Sequence, residues 1–388
     1  MIKKFNVEKT KQLNKINKIL SVFFKKPIAV NQVPLAEVKN ILVIDFALMG
    51  DMIMDIPFFK TIKRNCPNAK ITMVCMPWAE IILGDQGLID EFIIFNGKDY
   101  ISSSKNMLIH QREIRSALTE INKKKYDIGF EPKGDLRHTL FMRYTNCSRT
   151  ITYNYTGGEY LVTDSFTPRD ETRHLIDEKI DLLEMSGFKI EKDDMLPRLE
   201  LSDEWRKYVE NFCIENVLEG TDSIIGIHPG ASNRNKQYRY YPELIERIDA
   251  IIDKEYLYFV FEGPGEENIV DEVTGQLEKI GRRYIRIKRK VKEYVSLVSK
   301  CRIMICNDSA AGHIAAAYGI PALIIFGPVK PETALPRGQA EVMYVSHNFN
   351  CKPCTLPECP LGTEECIKSI SVEEVYDKFG DLLGKLIR

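Results

Sequence analysis

The chain has 388 residues, which is too long for one compact core and suits two domains. Its 54 basic and 55 acidic residues nearly cancel, so the total charge does not favour nucleic acid as a partner. No stretch contains the ~18 unbroken apolar residues of a membrane span, and the N-terminus lacks the apolar core of a secretory signal. Because ten cysteines occur without such a signal, we expect a reducing, cytoplasmic compartment.

Two regions of the chain are strongly basic. Residues 1–36 form an extension with eight lysines and a single acid, and the run 282–292 carries seven basic residues. Apolar residues recur at helical spacing within the extension, at Leu13, Ile16, Leu20 and Phe23. This helix can lie on the anionic inner face of the cytoplasmic membrane, pack on its own protein or stay a solvated tail. The second run either lies near a nucleotide or forms a solvated face.

From residue 41 onward, short apolar runs alternate with amphipathic segments, which is typical of parallel sheets flanked by helices. The first series of predicted strands is 41–45, 71–75, 91–95 and 127–130, with helices near 54–64 and 108–123. The second series is 224–228, 256–261, 284–287, 302–306 and 322–326. A helical segment is predicted at 171–218, and a last helix at 372–387 that packs across the first domain. Two open α/β domains with a cleft between them place ligands at the carboxyl edges of their sheets.

The first candidate motif is Met49-Gly50-Asp51, which follows the predicted strand 41–45 and opens a helical run. A glycine at a strand-to-helix turn permits close approach of the backbone, and the next carboxylate lies at the strand edge. Asp51 can act there as a general base that takes a proton from an attacking hydroxyl. The alternative is an Asp that caps the helix N-terminus.

Two further motifs follow the opening strands of the second series. After strand 224–228 the run 228–232 (HPGAS) supplies small residues with accessible backbone N–H groups, and Lys236 follows, which suits a diphosphate. The spacing differs from that of a Walker loop. After strand 256–261, Glu266 can bind ribose hydroxyls. The alternatives are a polar turn with a solvated lysine, and an acid that complements a helix dipole.

The most specific motif is the run 306–317 (CNDSAAGHIAAA), which ends the predicted strand 302–306 and opens a helix. Small residues at the helix start leave N–H groups that can hold an anion. Asp308 can bind sugar hydroxyls, Gly312 permits close approach of a ligand, and His313 can donate to phosphate. Helices that begin with Asn, Asp or Ser are common, but this run followed by Gly-Pro after the next strand is not.

Four cysteines lie within sixteen residues in a C-x2-C-x4-C-x6-C arrangement, at Cys351, Cys354, Cys359 and Cys366. The prolines and the glycine between them favour a compact knuckle that can wrap a tetrahedral zinc or iron ion as a structural site. The alternative is a set of unliganded, redox-labile thiols. The other six cysteines are scattered, and core packing explains them more simply.

The motifs, in this order and spacing, resemble glycosyltransferase family 9, the ADP-heptose heptosyltransferases. The resemblance runs from about Ile41 to the C-terminus and is strongest over 224–328. It implies a GT-B fold, meaning two Rossmann-like domains that face a central cleft, and an inverting mechanism with no catalytic metal. The implied domains are the basic extension at 1–36, an acceptor-binding domain at 37–205, a nucleotide-sugar-binding domain at 206–350, and the knuckle with the last helix at 351–388.

The resemblance also implies roles for individual residues. Asp51 takes the place of the catalytic aspartate, Lys236 of the phosphate-binding lysine and Glu266 of the ribose-binding glutamate. Asp308 takes the place of the heptose-contacting aspartate, and the diphosphate is enclosed by Ser309, Gly312 and His313. The chain departs from the family at Met54, where many members carry histidine, and at Ser309-Ala310, where they carry Thr-Gly. A cysteine finger similar to the knuckle occurs in the iron-holding, autotransporter-modifying branch.

We therefore expect heptose transfer from ADP-heptose to the lipopolysaccharide inner core, with peripheral contact at the inner membrane. One alternative acceptor is the serine hydroxyls of an autotransporter protein. Another alternative is a non-catalytic protein that binds a nucleotide sugar, which the presence of both Asp51 and Lys236 disfavours. A dinucleotide-dependent dehydrogenase is a weaker rival, because no G-x-G-x-x-G run follows either opening strand.

Overall fold

A computed structural model of the chain describes residues 7–29, 33–96, 110–170, 172–218, 220, 223–354, 356 and 358–386. The chain divides into two compact units, unit 1 (Met1–Met195) and unit 2 (Leu196–Arg388). The division therefore falls before the predicted boundary at 205/206. Helix Asp203–Glu215 begins inside the predicted first domain but belongs to unit 2, where the carboxylate of Glu204 lies 2.6 Å from Lys292.

Unit 1 is a six-stranded parallel sheet with helices between its strands. Its elements are α1 (Val7–Phe23), β1 (Asn40–Ile44), α2 (Met49–Met54), α3 (Ile56–Asn65), β2 (Lys70–Cys75), α4 (Pro77–Leu83), β3 (Glu91–Ile94), α5 (Gln111–Ile121), β4 (Tyr126–Glu131), α6 (Leu136–Arg143), β5 (Cys147–Tyr153), β6 (Asp164–Phe166) and α7 (Leu175–Met185). The strand order is β3-β2-β1-β4-β5-β6. The order reverses between β1 and β4, the position at which Rossmann-like sheets hold ligands.

Unit 2 repeats this arrangement. Its elements are α8 (Asp203–Glu215), β7 (Ile224–His228), α9 (Tyr241–Asp249), β8 (Leu257–Phe261), α10 (Glu267–Lys279), β9 (Tyr284–Ile287), α11 (Val291–Val298), β10 (Ile303–Asn307), α12 (Ala310–Ala317), β11 (Ala322–Phe326), α13 (Pro331–Ala334), β12 (Val342–Ser346), α14 (Glu365–Lys368) and α15 (Val372–Leu386). The parallel sheet has the order β12-β11-β10-β7-β8-β9, so its reversal lies between β7 and β10. Every residue of β7, β8, β10 and β11 is buried, as expected for strands covered on both faces.

All nine predicted strands are present, with ends that differ by at most one residue. Three strands were not predicted: β5, β6 and β12. β5 carries Ser, Arg and two Thr among its seven residues, β6 has only three residues, and β12 is an edge strand with one fully buried position. β5 and β6 lack the continuous apolar run that marks a central strand, whereas β12 has a run of four apolar residues that the sequence analysis missed.

The N-terminal extension packs on unit 1 through one face of α1. Leu13 is fully buried in a cluster with Leu136 and Leu161, and the Asn17 side chain accepts a hydrogen bond from the Gly158 N–H at 3.0 Å. This face of α1 therefore follows the second of the three alternatives for the extension, a helix that packs on its own protein. The predicted apolar face differs in one position, because Phe23 is 76% exposed and Phe24 packs on the cluster instead.

The last helix, α15, contributes its apolar face to the core of unit 2. Val375, Phe379, Leu382 and Leu383 are buried in one cluster with residues of β7, β8, β10 and β11. The sequence predicted that this helix packs across the first domain, but its apolar face is buried within unit 2. Within the described part of the chain, no helix is both long and apolar enough to cross a membrane.

The basic run 282–292 is largely neutralised by acids of unit 2. Its pairs are Arg282 with Asp249, Arg286 with Glu262 and Asp271, Lys288 with Glu262 and Glu267, and Lys292 with Glu204. Charges that are already paired offer less attraction to an anionic ligand. This favours the solvated-face alternative over a role in binding nucleotide.

Candidate functional site

Asp51 lies in the first turn of α2, directly after the central strand β1. The N-cap of α2 is Leu48, and no side chain makes a capping hydrogen bond there, so the capping alternative for Asp51 is not realised. The carboxylate is 34% exposed, and its Oδ2 lies 3.7 Å from the Nζ of Lys133, which follows β4. An accessible carboxylate beside one cation at the β1/β4 reversal is suited to accept a proton from a bound hydroxyl.

Behind Asp51 lies a buried cluster of charged side chains. Lys179 of α7 pairs with two carboxylates. Its Nζ lies 3.0 Å from the Oδ2 of Asp45, and it also contacts the Oδ1 of Asp55 at the end of α2. Lys133 lies 3.7 Å from the Oδ1 of Asp45 and so links this cluster to Asp51. Asp45, Asp55 and Lys179 are each at most 5% exposed. Two buried carboxylates that share one buried lysine cannot both be ionised without a large electrostatic cost.

The pKa values of the two buried carboxyls are accordingly driven apart. Burial raises the pKa of Asp55 to about 8, against the opposing effect of Lys179, and the charges of Asp45 and Asp51 add to the increase. Burial also acts on Asp45, but Lys179 and Lys133 outweigh it and lower the pKa of Asp45 to about 2. At neutral pH Asp45 is therefore the ionised partner of Lys179, and Asp55 holds a proton.

Lys133 is held in place by a buried carboxylate, Glu131, at the end of β4. One oxygen of Glu131 accepts the Gly134 N–H at 2.7 Å and the Thr152 hydroxyl at 2.6 Å, and the other lies 3.2 Å from the Nδ1 of His138. These contacts fix the turn that aims Lys133 at Asp51. Lys133 and Lys179 were both missed from the sequence. The only signal was Asp45 itself, because a carboxylate at the end of a buried strand needs a cationic partner.

In unit 2 the structure brings together Lys236 and Asp308, which are 72 residues apart. The Lys236 Nζ donates to the Asp308 Oδ2 at 2.6 Å, and the two side chains are 19% and 9% exposed. The lysine lies in a short turn after β7, and Asp308 directly follows β10. A cation and a carboxylate therefore meet at the carboxyl edge of the β7/β10 reversal, where they can bind phosphate and sugar hydroxyls respectively.

Glu266 and Ser309 are joined by a residue that the predicted site did not include, His228. The Nε2 of His228 lies 3.1 Å from the Oε2 of Glu266, and its Nδ1 lies 2.9 Å from the Oγ of Ser309. The Gly263 N–H donates to the same Glu266 oxygen at 2.7 Å. Burial would raise the pKa of Glu266, but the hydrogen bonds from His228 and from the Gly263 N–H lower it. Glu266 is therefore ionised at neutral pH.

The loop that carries Lys236 is fixed by Asn307, a fully buried residue that was also missed. Its Nδ2 donates to the Pro229 carbonyl at 2.6 Å, and its Oδ1 accepts the Tyr238 N–H at 3.2 Å. Gly230 in the same loop leaves room for Glu266, because a Cβ added there would lie 1.9 Å from that carboxyl carbon. The glycine of the HPG run is therefore explained by a side-chain neighbour of its own unit.

Gly312 has a structural reason that the sequence did not reveal. A Cβ added to it would lie 2.5 Å from the Cδ1 of Ile324 on β11, so the missing side chain lets α12 pack closely on the sheet. His313, in the next position of α12, is buried and 5% exposed. Contacts of either residue with a ligand stay predictions.

The strand ends thus carry an accessible carboxylate in unit 1 and a lysine with buried carboxylates in unit 2. The sequence model of glycosyltransferase family 9 (heptosyltransferase) matches residues 114–364, more than half of the chain. The chain belongs to glycosyltransferase family 9. The residues matched include the whole candidate donor site of unit 2, whereas Asp51 lies before them.

Curated relatives of this family 9 chain are named as heptosyltransferases. Lipooligosaccharide heptosyltransferase 2 of Campylobacter jejuni is 25% identical over 170 residues, which cover 43% of this chain and 53% of that protein. The chain therefore spans about half of that relative's length. Lipooligosaccharide heptosyltransferase 2 of Haemophilus influenzae is 22% identical over 359 residues, covering 89% of this chain and 100% of that protein.

Solved structures share the fold of the family 9 chain. A family 9 glycosyl transferase from Veillonella parvula matches with a TM-score of 0.71 at 22% identity, over 92% of this chain and 100% of that one. Heptosyltransferase II of E. coli matches with a TM-score of 0.70 at 20% identity, over 90% and 100%. The dodecameric iron-containing heptosyltransferase TibC matches with a TM-score of 0.53 at 12% identity, over 91% and 78%. The predicted GT-B class, with two parallel-sheet α/β units, is confirmed.

The four cysteines of the knuckle lie near one another in the family 9 chain, and none of them forms a disulfide. Burial raises the pKa of the Cys366 thiol to about 11; Lys352 opposes this, and the thiols of Cys351, Cys359 and Cys354 add to it. The Cys359 sulfur accepts the Glu364 N–H at 3.4 Å. Among the described residues, however, no three His, Cys, Asp or Glu side chains form a group arranged to hold a metal ion.

The knuckle is attached to the donor-side loops of unit 2. The Asn235 side chain, next to Lys236, donates to the Leu356 carbonyl at 3.0 Å. The Cys354 N–H donates to the Pro328 carbonyl, also at 3.0 Å. These contacts support the turn that carries Lys236.

Proposed function

We propose that this family 9 chain is an inverting glycosyltransferase that transfers heptose from ADP-heptose to a hydroxyl of the lipopolysaccharide inner core. The observation that carries the proposal is the meeting of Lys236 and Asp308 beside Glu266 and Ser309 at one sheet edge of unit 2. This set pairs one cation with three oxygen-bearing side chains. A nucleoside diphosphate sugar presents the complementary charges and hydroxyls.

The donor-side roles follow from charge and position. Lys236 and the N–H groups at the start of α12 stabilise the negative charge that develops on the β-phosphate as ADP departs. Glu266 accepts hydrogen bonds from the ribose hydroxyls and Asp308 from the heptose hydroxyls. Because Lys236 is paired with Asp308 in the ligand-free chain, a bound phosphate shares the lysine with that carboxylate.

On the acceptor side, Asp51 is the proposed base. It removes the proton of the acceptor hydroxyl while that oxygen attacks the anomeric carbon from the face opposite ADP, which inverts the configuration. The Asp51 carboxylate must be ionised to accept this proton. The Nζ of Lys133 lies 3.7 Å from the Oδ2 of this carboxylate.

The test is a donor-consumption assay with ADP-heptose and two acceptors, the inner-core oligosaccharide and an autotransporter passenger protein. We expect ADP release and heptosylation with the oligosaccharide. Transfer to serine hydroxyls of the passenger would replace the proposed acceptor but keep the reaction. Tight ADP-heptose binding without turnover on either acceptor would instead support the non-catalytic alternative.

We further propose that Cys351, Cys354, Cys359 and Cys366 bind one zinc or iron ion as a structural site. Four thiols near one another supply the donor set of a tetrahedral site. Because the knuckle contacts the Lys236 turn, metal binding is expected to stabilise the donor site as well as the local fold.

Elemental analysis of the purified chain tests this site. We expect about one ion per chain, lost in Cys366→Ser but retained in Cys66→Ser, whose buried thiol lies in unit 1. Removal of the ion by a chelator should lower Tm. A metal-free chain with full activity and four rapidly alkylated thiols would contradict the proposal.

The second face of α1 supports contact with an anionic membrane surface. Ile19, Val22 and Phe23 are 61%, 79% and 76% exposed, and lysines flank them at Lys15, Lys18, Lys25 and Lys26. Apolar side chains among lysines are the pattern that binds anionic lipid, and the proposed acceptor is itself lipid-linked.

Co-sedimentation with vesicles tests the membrane proposal. The chain should bind anionic vesicles more strongly than neutral ones, and Phe23→Ser should weaken this binding. Ile214→Ser is the matched control, since Ile214 is also exposed, at 57%, but lies in unit 2. Equal binding by both variants would exclude α1 as the contact.

A further inference from the structure

His228 occupies a position in unit 2 that the donor-binding roles do not use. It ends β7 and is 7% exposed. Its two ring nitrogens contact side chains from different elements, Glu266 at the start of α10 and Ser309 at the start of α12. Both partners belong to the proposed donor site, one on the ribose side and one on the phosphate side. A change in the protonation of the imidazole therefore affects the groups proposed to bind both ends of a nucleotide.

The ionised carboxylate restricts which atoms of Glu266, His228 and Ser309 can donate hydrogen bonds to one another. An ionised carboxylate can only accept, so the Nε2 of His228 must carry the proton in its contact with Glu266. In the neutral imidazole the Nδ1 then has no proton and accepts from the Ser309 hydroxyl. The Ser309 proton is therefore committed to His228 in the ligand-free chain.

Ser309 makes no hydrogen bond that would cap α12, although it is the N-cap residue. The hydroxyl contacts the His228 ring and the Cys306 thiol instead. A phosphate oxygen at the start of α12 is a pure acceptor and needs a donor from Ser309. The hydroxyl cannot donate to the phosphate and to a neutral His228 at once.

We propose that His228 is a positioning residue that takes up one proton when a nucleoside diphosphate binds to Ser309. The proton comes from the solvent and is added at Nδ1, which then donates to the Ser309 oxygen. The Ser309 hydroxyl turns and donates to the phosphate. No covalent bond to the ligand changes in this step, and the proton is returned when ADP leaves. This inference rests on the proposed function, because it takes the donor diphosphate as the ligand of Ser309.

The groups around His228 are compatible with this change of charge. Glu266 faces one nitrogen, and the ring edge of Tyr294 from α11 packs against the imidazole, with a centroid distance of 5.9 Å. Burial raises the pKa of Tyr294 and of the Cys306 thiol beside Ser309, so both stay uncharged at neutral pH. The remaining charges nearby are the paired Lys236 and Asp308. An imidazolium between Glu266 and a bound diphosphate is thus flanked by two anions.

Proton uptake is measurable with ADP alone, without any acceptor or turnover. ADP is titrated calorimetrically into the full chain at about pH 7.5 to 8, in two buffers of different ionisation enthalpy. The wild-type chain should take up close to one proton per ADP. Because binding is coupled to proton uptake, its affinity should fall as the pH rises, by at most about tenfold per pH unit.

Three variants separate this effect from the titration of ADP itself, which is common to all chains. Ser309→Ala and His228→Gln should bind ADP with less proton uptake and a flatter pH dependence. Ser299→Ala, whose hydroxyl donates to the Ser296 carbonyl on α11, should behave as the wild type. If a variant does not fold, nitrogen NMR of the His228 ring in the wild-type chain, with and without ADP, reports the same protonation.

The outcomes are distinguishable. Extra proton uptake in the wild type that Ser309→Ala lacks supports the inference. ADP binding with equal proton uptake in the two chains, or a His228 ring that stays neutral with ADP bound, overturns it and leaves the proposed function intact. A chain that does not bind ADP at all overturns the proposed function together with the inference.

Discussion

The two units have the same strand order but place different chemistry at the point where that order reverses. In unit 1 the accessible carboxylate of Asp51 lies beside a buried network of charged side chains. In this network Lys179 pairs with both Asp45 and Asp55. In unit 2 the groups of the candidate donor site are joined by hydrogen bonds through His228, beside one ion pair.

The difference has a physical reason. A base must keep its charge in place before a neutral hydroxyl arrives, so fixed cations behind it are useful. A diphosphate site must instead accept two or more negative charges and release them, which favours partners that can change protonation or exchange contacts. The shared fold supplies the location, and the side chains from neighbouring elements determine the chemistry.

The largest expected effect tests whether the network of unit 1 is essential to its fold. Lys179→Met removes the only cation that lies within hydrogen-bond distance of both Asp45 and Asp55 among the described residues. Because a buried charge is left unpaired, we expect a loss of about 3–5 kcal/mol in the free energy of unfolding, measured by urea denaturation. Lys189→Met, at a side chain 83% exposed, is the control and should change it by less than about 0.5 kcal/mol. Similar stabilities for the two variants would show that the network does not hold the unit together.

Asp51→Asn tests the other half of the comparison, the accessible carboxylate itself. The amide cannot accept the acceptor's proton as a base, so kcat should fall by about 100-fold or more. The calorimetric affinity for ADP should remain within a few fold, because the nucleotide is assigned to unit 2. Turnover near the wild-type level would remove Asp51 from the mechanism.

Lys236→Ala should affect unit 2 alone. It removes a charge-assisted contact with phosphate, so ADP affinity should weaken by about 10- to 100-fold and turnover should fall with it. Asp308→Asn is a useful companion, because it frees the lysine from its ion pair without removing it. A change confined to acceptor affinity in Lys236→Ala would contradict the assignment of this lysine to the donor.

The smallest effect concerns Asp55 and the pH dependence of stability. Because its pKa is raised from 3.8 to about 8 in the folded chain, the folded state binds this proton more tightly than the unfolded state. Its contribution to stability is therefore present at low pH and is lost as the pH rises toward about 8.

Asp55→Asn should remove this slope and should not lower stability at pH 7, since an amide resembles the protonated acid and needs no proton uptake on folding. Asp45→Asn should cost more at the same pH, because the pKa of Asp45 is lowered to about 2 and its charge is needed by Lys179. Urea denaturation of both variants between pH 5 and about pH 8.5 is the measurement. Equal losses at pH 7 would indicate that the two carboxyls share the charge evenly.

The sequence alone was sufficient for the central strands and for the motifs at their ends. Strands buried on both faces are continuous apolar runs, and glycine or polar residues mark where they stop, so 224–228 and 302–306 are visible without a structure. The family resemblance came from the same strand ends. Strands β5 and β6 could not be predicted in this way, because polar residues interrupt them.

Only the tertiary structure decided which partners the motif residues have. Lys179 is 134 residues from Asp45, and His228 is 81 residues from Ser309, and no periodicity connects such pairs. Hydrogen bonds and charges act through space, whereas sequence patterns report local conformation and burial. Gly230 shows the same limit: the sequence marks a turn, but only the packed unit reveals that the Glu266 carboxylate fills the space a side chain would need.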